Sequence, residues 1–171
     1  PGHGGVSEDS HVCLPSDARS FFEIEAADLV PYKKLIVANL EGVMMAHIIF
    51  PSVDTEIASF SEKWILQRLR QELGFRGVVF SDDLAMEGAA GGGSYSERAR
   101  KALSAGCDIL LVCNRREAVQ EIISDLENWT EIPTTKDVSV MKGRGLDTGL
   151  VKLRSSDAWK QTCEYLETTR F

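Results

Sequence analysis

One local pattern, used repeatedly, limits the folds open to this chain: an apolar run, a polar loop, an amphipathic stretch, a glycine, and another apolar run. Gly77-Val78-Val79-Phe80 and Ile109-Leu110-Leu111-Val112 are such runs, without polar alternation. Runs of this kind are expected of strands covered on both faces, as in a parallel sheet. Between and around them lie helix signals. Ser59-Phe60-Ser61-Glu62 places a Glu three residues after a Ser, the capping-box pattern. Ile65, Leu69 and Leu73 then recur four apart, and Gly74 follows as a stop signal. Ser94-Tyr95-Ser96-Glu97 repeats the start signal, with Ala99, Ala102 and Leu103 facing inward and Gly106 at the end. Asn114-Arg115-Arg116-Glu117 predicts the cap of a further helix carrying Val119, Ile122, Ile123 and Leu126. This is the grammar of βαβ units, whose strands all end at one edge of the sheet.

Upstream, residues 1–20 are polar and Gly-rich and read as a loop. Residues 27–31 read as a short helix and connection. Residues 35–39 and 43–50 are apolar, and the second is the better strand, closed by Pro51. Three good strands result. They fit either an open three- or four-stranded α/β sheet or the last portion of a (β/α)8 barrel, whose full form needs eight strands and about 250 residues. After residue 127 the pattern changes. Lys142-Gly143-Arg144-Gly145 is loop-like, and residues 156–168 predict a terminal helix with Trp159, Cys163 and Leu166 on one side, packing on the outside. The expected organisation is α/β over 1–127 with a tail over 128–171.

A length of 171 residues suffices for one domain with a real core, and a hydrophobic fraction of 43% is ordinary. The net charge of -7 argues against a nucleic-acid partner. No stretch is long and apolar enough to span a membrane. Cys13, Cys107, Cys113 and Cys163 form no C-x-x-C pair and lack metal-ligand spacing, so reduced, buried thiols in a cytoplasmic protein are expected. The chain opens on Pro1 without an initiator Met, so the true amino terminus is expected upstream.

Ser81-Asp82-Asp83 follows directly on Gly77–Phe80 and so falls at the carboxyl edge, where α/β enzymes keep their chemistry. Adjacent residues on extended chain point to opposite sides, so one Asp can face a pocket while the other caps or pairs behind it. Asp82, continuing the strand, is the expected exposed one. In Asp9-Ser10-His11 the carboxylate can accept a bond from one imidazole nitrogen and leave the other free for proton transfer. A merely solvated pair is the competing reading. His3, between glycines, reads as structural, and His47, inside an apolar run, as a satisfied core or barrel-edge residue. Gly88–Ser94 could cradle phosphate as a Gly-rich turn before a helix, but it lacks P-loop and G-x-G-x-x-G spacing.

These residues resemble the family 3 glycoside hydrolases of the β-N-acetylglucosaminidase type. Pro1-Gly2-His3-Gly4 with Asp9-Ser10-His11 is similar to that family's loop after strand five. Ala46-His47-Ile48-Ile49-Phe50-Pro51 resembles its strand six, Phe80 to Gly88 its strand-seven signature, and Ala105 to Leu111 its strand eight. The resemblance covers about residues 1–125, in the family's order. It implies the carboxyl-terminal part of a TIM (β/α)8 barrel, about strands 6–8 plus the loop after strand 5. It also implies retaining hydrolysis of terminal β-linked N-acetylglucosamine from muropeptide and peptidoglycan fragments. By position Asp82 matches the nucleophile, His11 the general acid/base and Asp9 the residue that orients it. Ser81, Asp83 and His47 match signature positions without an assigned role. No metal or organic cofactor is implied, and the partner is a small carbohydrate. The family's sugar-holding Lys-His pair would lie before Pro1, so this chain alone is expected to be weakly active or inactive. Exposed strand edges predict self-association. A β-glucosidase-type family 3 hydrolase and a non-catalytic sugar- or phosphate-binding α/β module are the alternatives.

Overall fold

The computed structural model describes residues 2–133, 137–143 and 149–169, which form a mixed α/β fold. They divide into two compact units, residues 1–141 and 142–171.

The first unit begins with the expected loop. Ser16 forms a parallel bridge with Ile49, with the Asp17 N–H donating to the Ile49 carbonyl at 2.9 Å and the Ile49 N–H to the Pro15 carbonyl at 3.0 Å. Asp17 is buried, and the Arg19 guanidinium bonds both its oxygens while the Gly5 N–H donates to Oδ2 at 2.8 Å. The Arg19 side-chain bonds, helped by the N–H groups of Gly5 and Arg19, outweigh burial and hold the Asp17 carboxyl well below the usual carboxylate range. Arg19 also reaches Asp28 at 2.9 Å, tying the loop to the helices that follow.

Those helices are α1 (Phe21–Ala26) and α2 (Leu29–Val37). α1 starts at a capping box of Ser20 and Glu23. α2 takes in the apolar run that opened at Leu35, so that run is not a strand. Leu29, Tyr32 and Ile36 recur at helical spacing and pack on the core, whereas Val37 is 85% exposed. Asn39, at φ 63°, ends the turn after the helix.

β1 (Gly42–Met44) then enters the sheet. The single strand expected over 43–50 is broken. After the Met45 N–H has bonded the Phe80 carbonyl at 2.9 Å, the chain leaves the sheet; β2 (Ile49–Phe50) pairs antiparallel with β3 (Asp54–Ile57) instead. The departure lets the His47 side chain make two buried hydrogen bonds. A 3-10 turn, Ala58–Phe60, leads into a π-helix, Lys63–Glu72, which buries Trp64, Ile65 and Leu69 and stops at Gly74. Ser59 does not cap it. Ser59 is buried against His47, and the Ser61 hydroxyl accepts the Trp64 N–H at 3.1 Å.

β4 (Val78–Asp83) pairs parallel with β1 on one side and with β5 (Ile109–Leu111) on the other, giving the order β1-β4-β5. Between β4 and β5 come a 3-10 stretch, Glu87–Gly92, and α3 (Tyr95–Ala105). α3 has the expected Ser94–Glu97 capping box and ends at Gly106, whose φ of 106° is open to glycine and strained for other residues. α4 (Arg116–Glu127) follows. Asn114 does not cap it. It sits at φ 56° in the turn after β5, and no side chain caps that helix. At the amino edge of the sheet, Asp108 Oδ2 accepts the Val79 N–H at 2.8 Å and an Arg70 N–H at 2.7 Å. Ile24, Ile48, Phe50, Trp64, Phe75, Val79 and Leu84 sit within one continuous core. In the second unit, α5 (Leu150–Ser155) and α6 (Asp157–Thr168) form, the latter where a terminal helix was expected. Among the described residues no closed barrel forms, and no helix is long and apolar enough to cross a membrane.

The β4–β5 ladder slips between Phe80 and Asp83, which pair with Ile109 and Leu111. The extra residue on β4 is a bulge, and the buried Ser81 hydroxyl accepts the Leu111 N–H at 3.0 Å within it. Ser81→Ala leaves that donor unpaired and is expected to lower stability by about 1–3 kcal/mol in urea unfolding. The Asp17 carboxylate stabilises the fold while ionised, so that contribution is complete at neutral pH and falls away as the pH drops below about 4. Asp17→Asn is therefore expected to lower stability at pH 7 and to flatten its fall on acidification, read from unfolding curves across the acid range.

Candidate active site

Three parallel strands place their carboxyl ends together, and the irregular end of β4 sorts the carboxylates there. Ser81 is consumed by the bulge. Asp83 turns its carboxylate back along the chain: Oδ1 accepts the Ala85 N–H at 2.9 Å and the Cys113 N–H at 2.9 Å, pinning the turn after β4 to the end of β5. Its carbonyl accepts a bond from His47. Asp82 is half-buried, and Oδ1 accepts the Asp83 N–H at 2.8 Å. The other oxygen, Oδ2, has no hydrogen-bond partner among the described residues. Both residues are half-buried; among the described residues Asp82 is the member of the pair with an unbonded carboxylate oxygen, and Asp83 is the clamp.

Residues 9–13 form a tight turn, with the N–H groups of Val12 and Cys13 both donating to the Asp9 carbonyl at 2.9 and 3.0 Å. The turn brings the two expected partners together. Asp9 Oδ1 accepts the His11 backbone N–H at 2.9 Å and the Nδ1–H at 2.8 Å. The His11 backbone bond, then its side-chain bond, holds the Asp9 carboxyl below its usual range. With the proton on Nδ1, Nε2 presents a lone pair, and it has no hydrogen-bond partner among the described residues. Both side chains are largely exposed, 74% for His11 and 62% for Asp9.

The turn is docked beside the end of β4. Gly88 donates its N–H to the Ser10 carbonyl at 3.0 Å. A Cβ at Gly88 would lie 2.8 Å from that oxygen and 3.1 Å from the His47 Cβ, so the approach needs glycine. The His11 loop therefore rests on the segment that leaves Asp82. No hydrogen bond joins Asp82 to His11 among the described residues. His3 donates from Nε2 to the Glu8 carbonyl at 2.6 Å and closes the loop's first half, a structural role as expected.

His47 is fully buried. Its Nε2 faces the Asp83 carbonyl at 3.0 Å, an acceptor, so Nε2 carries the proton. Burial pushes the imidazole below its ordinary value, favouring the neutral form, in which Nδ1 accepts the Ser59 hydroxyl at 2.7 Å. Of the cysteines, only Cys107 is buried, and burial pushes its thiol up to about 12. Cys13 and Cys113 are exposed, contrary to the expectation of buried thiols, because Cys13 closes the turn that starts at Asp9 and Cys113 lies beyond the end of β5 rather than inside a strand. Asp83, the nearest charge, raises the Cys113 thiol. Among the described residues, no group of three or more His, Cys, Asp or Glu is placed to hold a metal. The glycine-rich segment is short of donors for a phosphate: the N–H groups of Gly88, Ala89, Gly93 and Ser94 already bond Ser10, Met86, Ala90 and Glu97.

Asp83 takes the capping and pairing role expected of one Asp of the pair, whereas the anchoring of the loop by Asp17 and Arg19 was not foreseen. For Asp83 the doubled Asp was the available signal; for Asp17 the sequence carries none beyond an Arg two residues on.

Residues 1–139 match the family profile described as Glycosyl hydrolase family 3 N terminal domain. A β-hexosaminidase of Neisseria gonorrhoeae (strain NCCP11945) is 51% identical over 139 residues, 81% of this chain and 37% of that protein. One from Methylococcus capsulatus is 44% identical over 169 residues, 98% of this chain and 50% of that protein. The crystal structure of native NagZ from Neisseria gonorrhoeae matches with a TM-score of 0.81 at 40% identity, over 97% of this chain and 47% of that one. The same enzyme has also been crystallised in complex with N-trifluoroacetyl-D-glucosamine. The chain spans between 35% and 50% of the length of such curated relatives. A profile match over four fifths of its residues, in a mixed α/β fold shared with NagZ, makes this chain a member of glycosyl hydrolase family 3.

Proposed function

We propose that this chain is the carboxyl-terminal share of the (β/α)8 barrel of a retaining β-N-acetylglucosaminidase, with β1, β4 and β5 as its sixth, seventh and eighth strands. Among the described residues β1 and β5 are each paired on one side only, which supports a sheet continued by further strands. Met44 on β1 is half exposed, and an apolar groove lined by Leu110, Val112, Ile122 and Ile123 lies open at β5. The observation that carries the reading is Asp82. It is a carboxylate with one unbonded oxygen at the carboxyl edge, beside the docked loop that holds a tautomer-fixed imidazole.

In this reading Asp82 Oδ2 attacks the anomeric carbon as the glycosidic C–O bond breaks. A protonated His11 Nε2 gives its proton to the departing oxygen. The glycosyl ester on Asp82 is then attacked by water. His11 Nε2 takes the water proton, the C–O bond to Asp82 breaks, and the sugar leaves with its original anomeric configuration. Asp9 stabilises the imidazolium present before the first step and again after the second, and keeps Nε2 turned outward. The exposure of both side chains fits a loop that closes on bound sugar. The relatives' names and the ligand in NagZ support a small carbohydrate with a terminal N-acetylhexosamine, and the family resemblance points to N-acetylglucosamine on muropeptide fragments in the cytoplasm. A β-glucosidase-type enzyme that draws its acid/base from a second domain has no use for the Asp9–His11 pair.

In the full-length protein that carries this chain, Asp82→Asn is expected to lower kcat by at least about a thousandfold. His11→Ala should cost about 10²–10⁴-fold on a disaccharide and far less on an aryl glycoside whose leaving group needs no proton. Undiminished turnover in Asp82→Asn overturns the assignment. Proton NMR of the first-formed anomer checks retention. The 171-residue chain alone should hydrolyse a chromogenic β-N-acetylglucosaminide far more slowly than a full-length relative, since it spans 35% to 50% of such relatives' length.

A further inference from the structure

We infer that His47 is a positioning residue for this reaction, its imidazole holding the Asp83 carbonyl and thereby the carboxylate of Asp82; the inference rests on Asp82 being the nucleophile. β1 ends at Met44, and the residues that follow bury the His47 side chain together with Met45 and Ile48. There both ring nitrogens are used, on the Ser59 hydroxyl at 2.7 Å and the Asp83 carbonyl at 3.0 Å. Ser59 is itself fully buried, its carbonyl accepts a bond from the Cys107 thiol, and the His47 ring lies 5.7 Å from the Phe60 ring. The imidazole therefore has no rotational freedom to share.

What it holds is the residue after the nucleophile. Asp83 is fixed at every polar atom of its backbone: the carbonyl by His47 and by the Met86 N–H at 3.0 Å, the N–H by Asp82 Oδ1. Its carboxylate is fixed by the N–H groups of Ala85 and Cys113. Rotation about the Asp83 backbone would swing its N–H away from Asp82 and release the one bond that orients the nucleophile. His47 blocks that rotation from behind the sheet. A histidine does this without adding charge. As a neutral donor it satisfies a buried carbonyl while leaving the adjacent carboxylate its full negative charge, which a buried lysine or arginine would offset. The same residue backs the other half of the site, because its Cβ lies against Gly88, on which the His11 loop docks.

The test is carried out in the full-length protein with His47→Phe, His47→Gln, Ser59→Ala and Asp82→Asn, all checked for folding by circular dichroism. His47→Phe keeps the ring and loses the donor. It is expected to lower kcat by about tenfold or more with KM nearly unchanged. His47→Gln, whose amide can reach the Asp83 carbonyl, should recover most of that loss. Ser59→Ala should lower kcat less, and nitrogen-15 NMR of the 171-residue chain should show Nε2 as the protonated nitrogen of His47. A full kcat in His47→Phe, or a His47→Gln no better than His47→Phe, overturns the inference. If His47→Phe does not fold, an Nδ1-protonated His47 or a full kcat in Ser59→Ala overturns it. Asp82→Asn separates the two claims: turnover surviving in it sinks the nucleophile, whereas its loss beside a fully active His47→Phe sinks only the positioning role.

Discussion

The site depends on one irregularity in a hydrogen-bond ladder. A regular parallel pair would use the backbone groups by which β4 and β5 face each other and send alternate side chains to opposite faces. Here the ladder slips at Ser81–Asp83, and side chains replace the missing backbone partners: the Ser81 hydroxyl takes the Leu111 N–H and the Asp83 carboxylate takes the Cys113 N–H. The bulge re-aims the strand end while its loose groups stay satisfied. A buried donor left unpaired there would cost about 1–3 kcal/mol, so Ser and the second Asp are what make the distortion tolerable. Asp82, between them, is relieved of structural work.

The second dependence is close packing at Gly88. The His11 loop packs Val6 and Leu14 against the core and is held besides by two polar anchors, Asp17 with Arg19 and Gly5, and the Ser10–Gly88 bond. Between the anchors the turn is exposed. Firm anchors and a solvated tip suit the loop closure of the proposed mechanism, since local opening is cheap where few apolar contacts are lost.

Much of this was legible because it is local. The capping box at Ser94, the Gly106 terminator, the two apolar runs and the Asp9–His11 spacing each need only a few consecutive residues to be read, and each is present as expected. The mixed α/β fold followed from their alternation, and family membership followed from several motifs in one order. The misreadings came from residues whose partners are distant. Ser59 reads as a cap, but its partner is His47. Residues 43–50 read as one strand, but the contact between His47 and Asp83, 36 residues on, breaks it. Residues 35–37 read as extended because their own apolarity hides a helical face set by Leu29 and Tyr32. Nothing in those local windows encodes the competing interaction.

The four aspartates that matter show how position in a sheet decides what a carboxylate does. Asp17 has both oxygens on Arg19 and a backbone N–H. Asp108, at the amino edge, bonds a strand N–H and Arg70 with its side chain only 5% exposed. Asp83, at the carboxyl edge, bonds two N–H groups from different elements. Each is matched with donors and is thereby made a poor nucleophile, since attack would require breaking those bonds. Asp82 alone of the four rests on a single neighbouring N–H. That bond is enough to orient one oxygen and leaves the other to react. A carboxylate under-satisfied at a sheet's carboxyl edge costs stability unless something binds there, and a sugar carbon gaining positive charge is the partner that would turn that cost into rate.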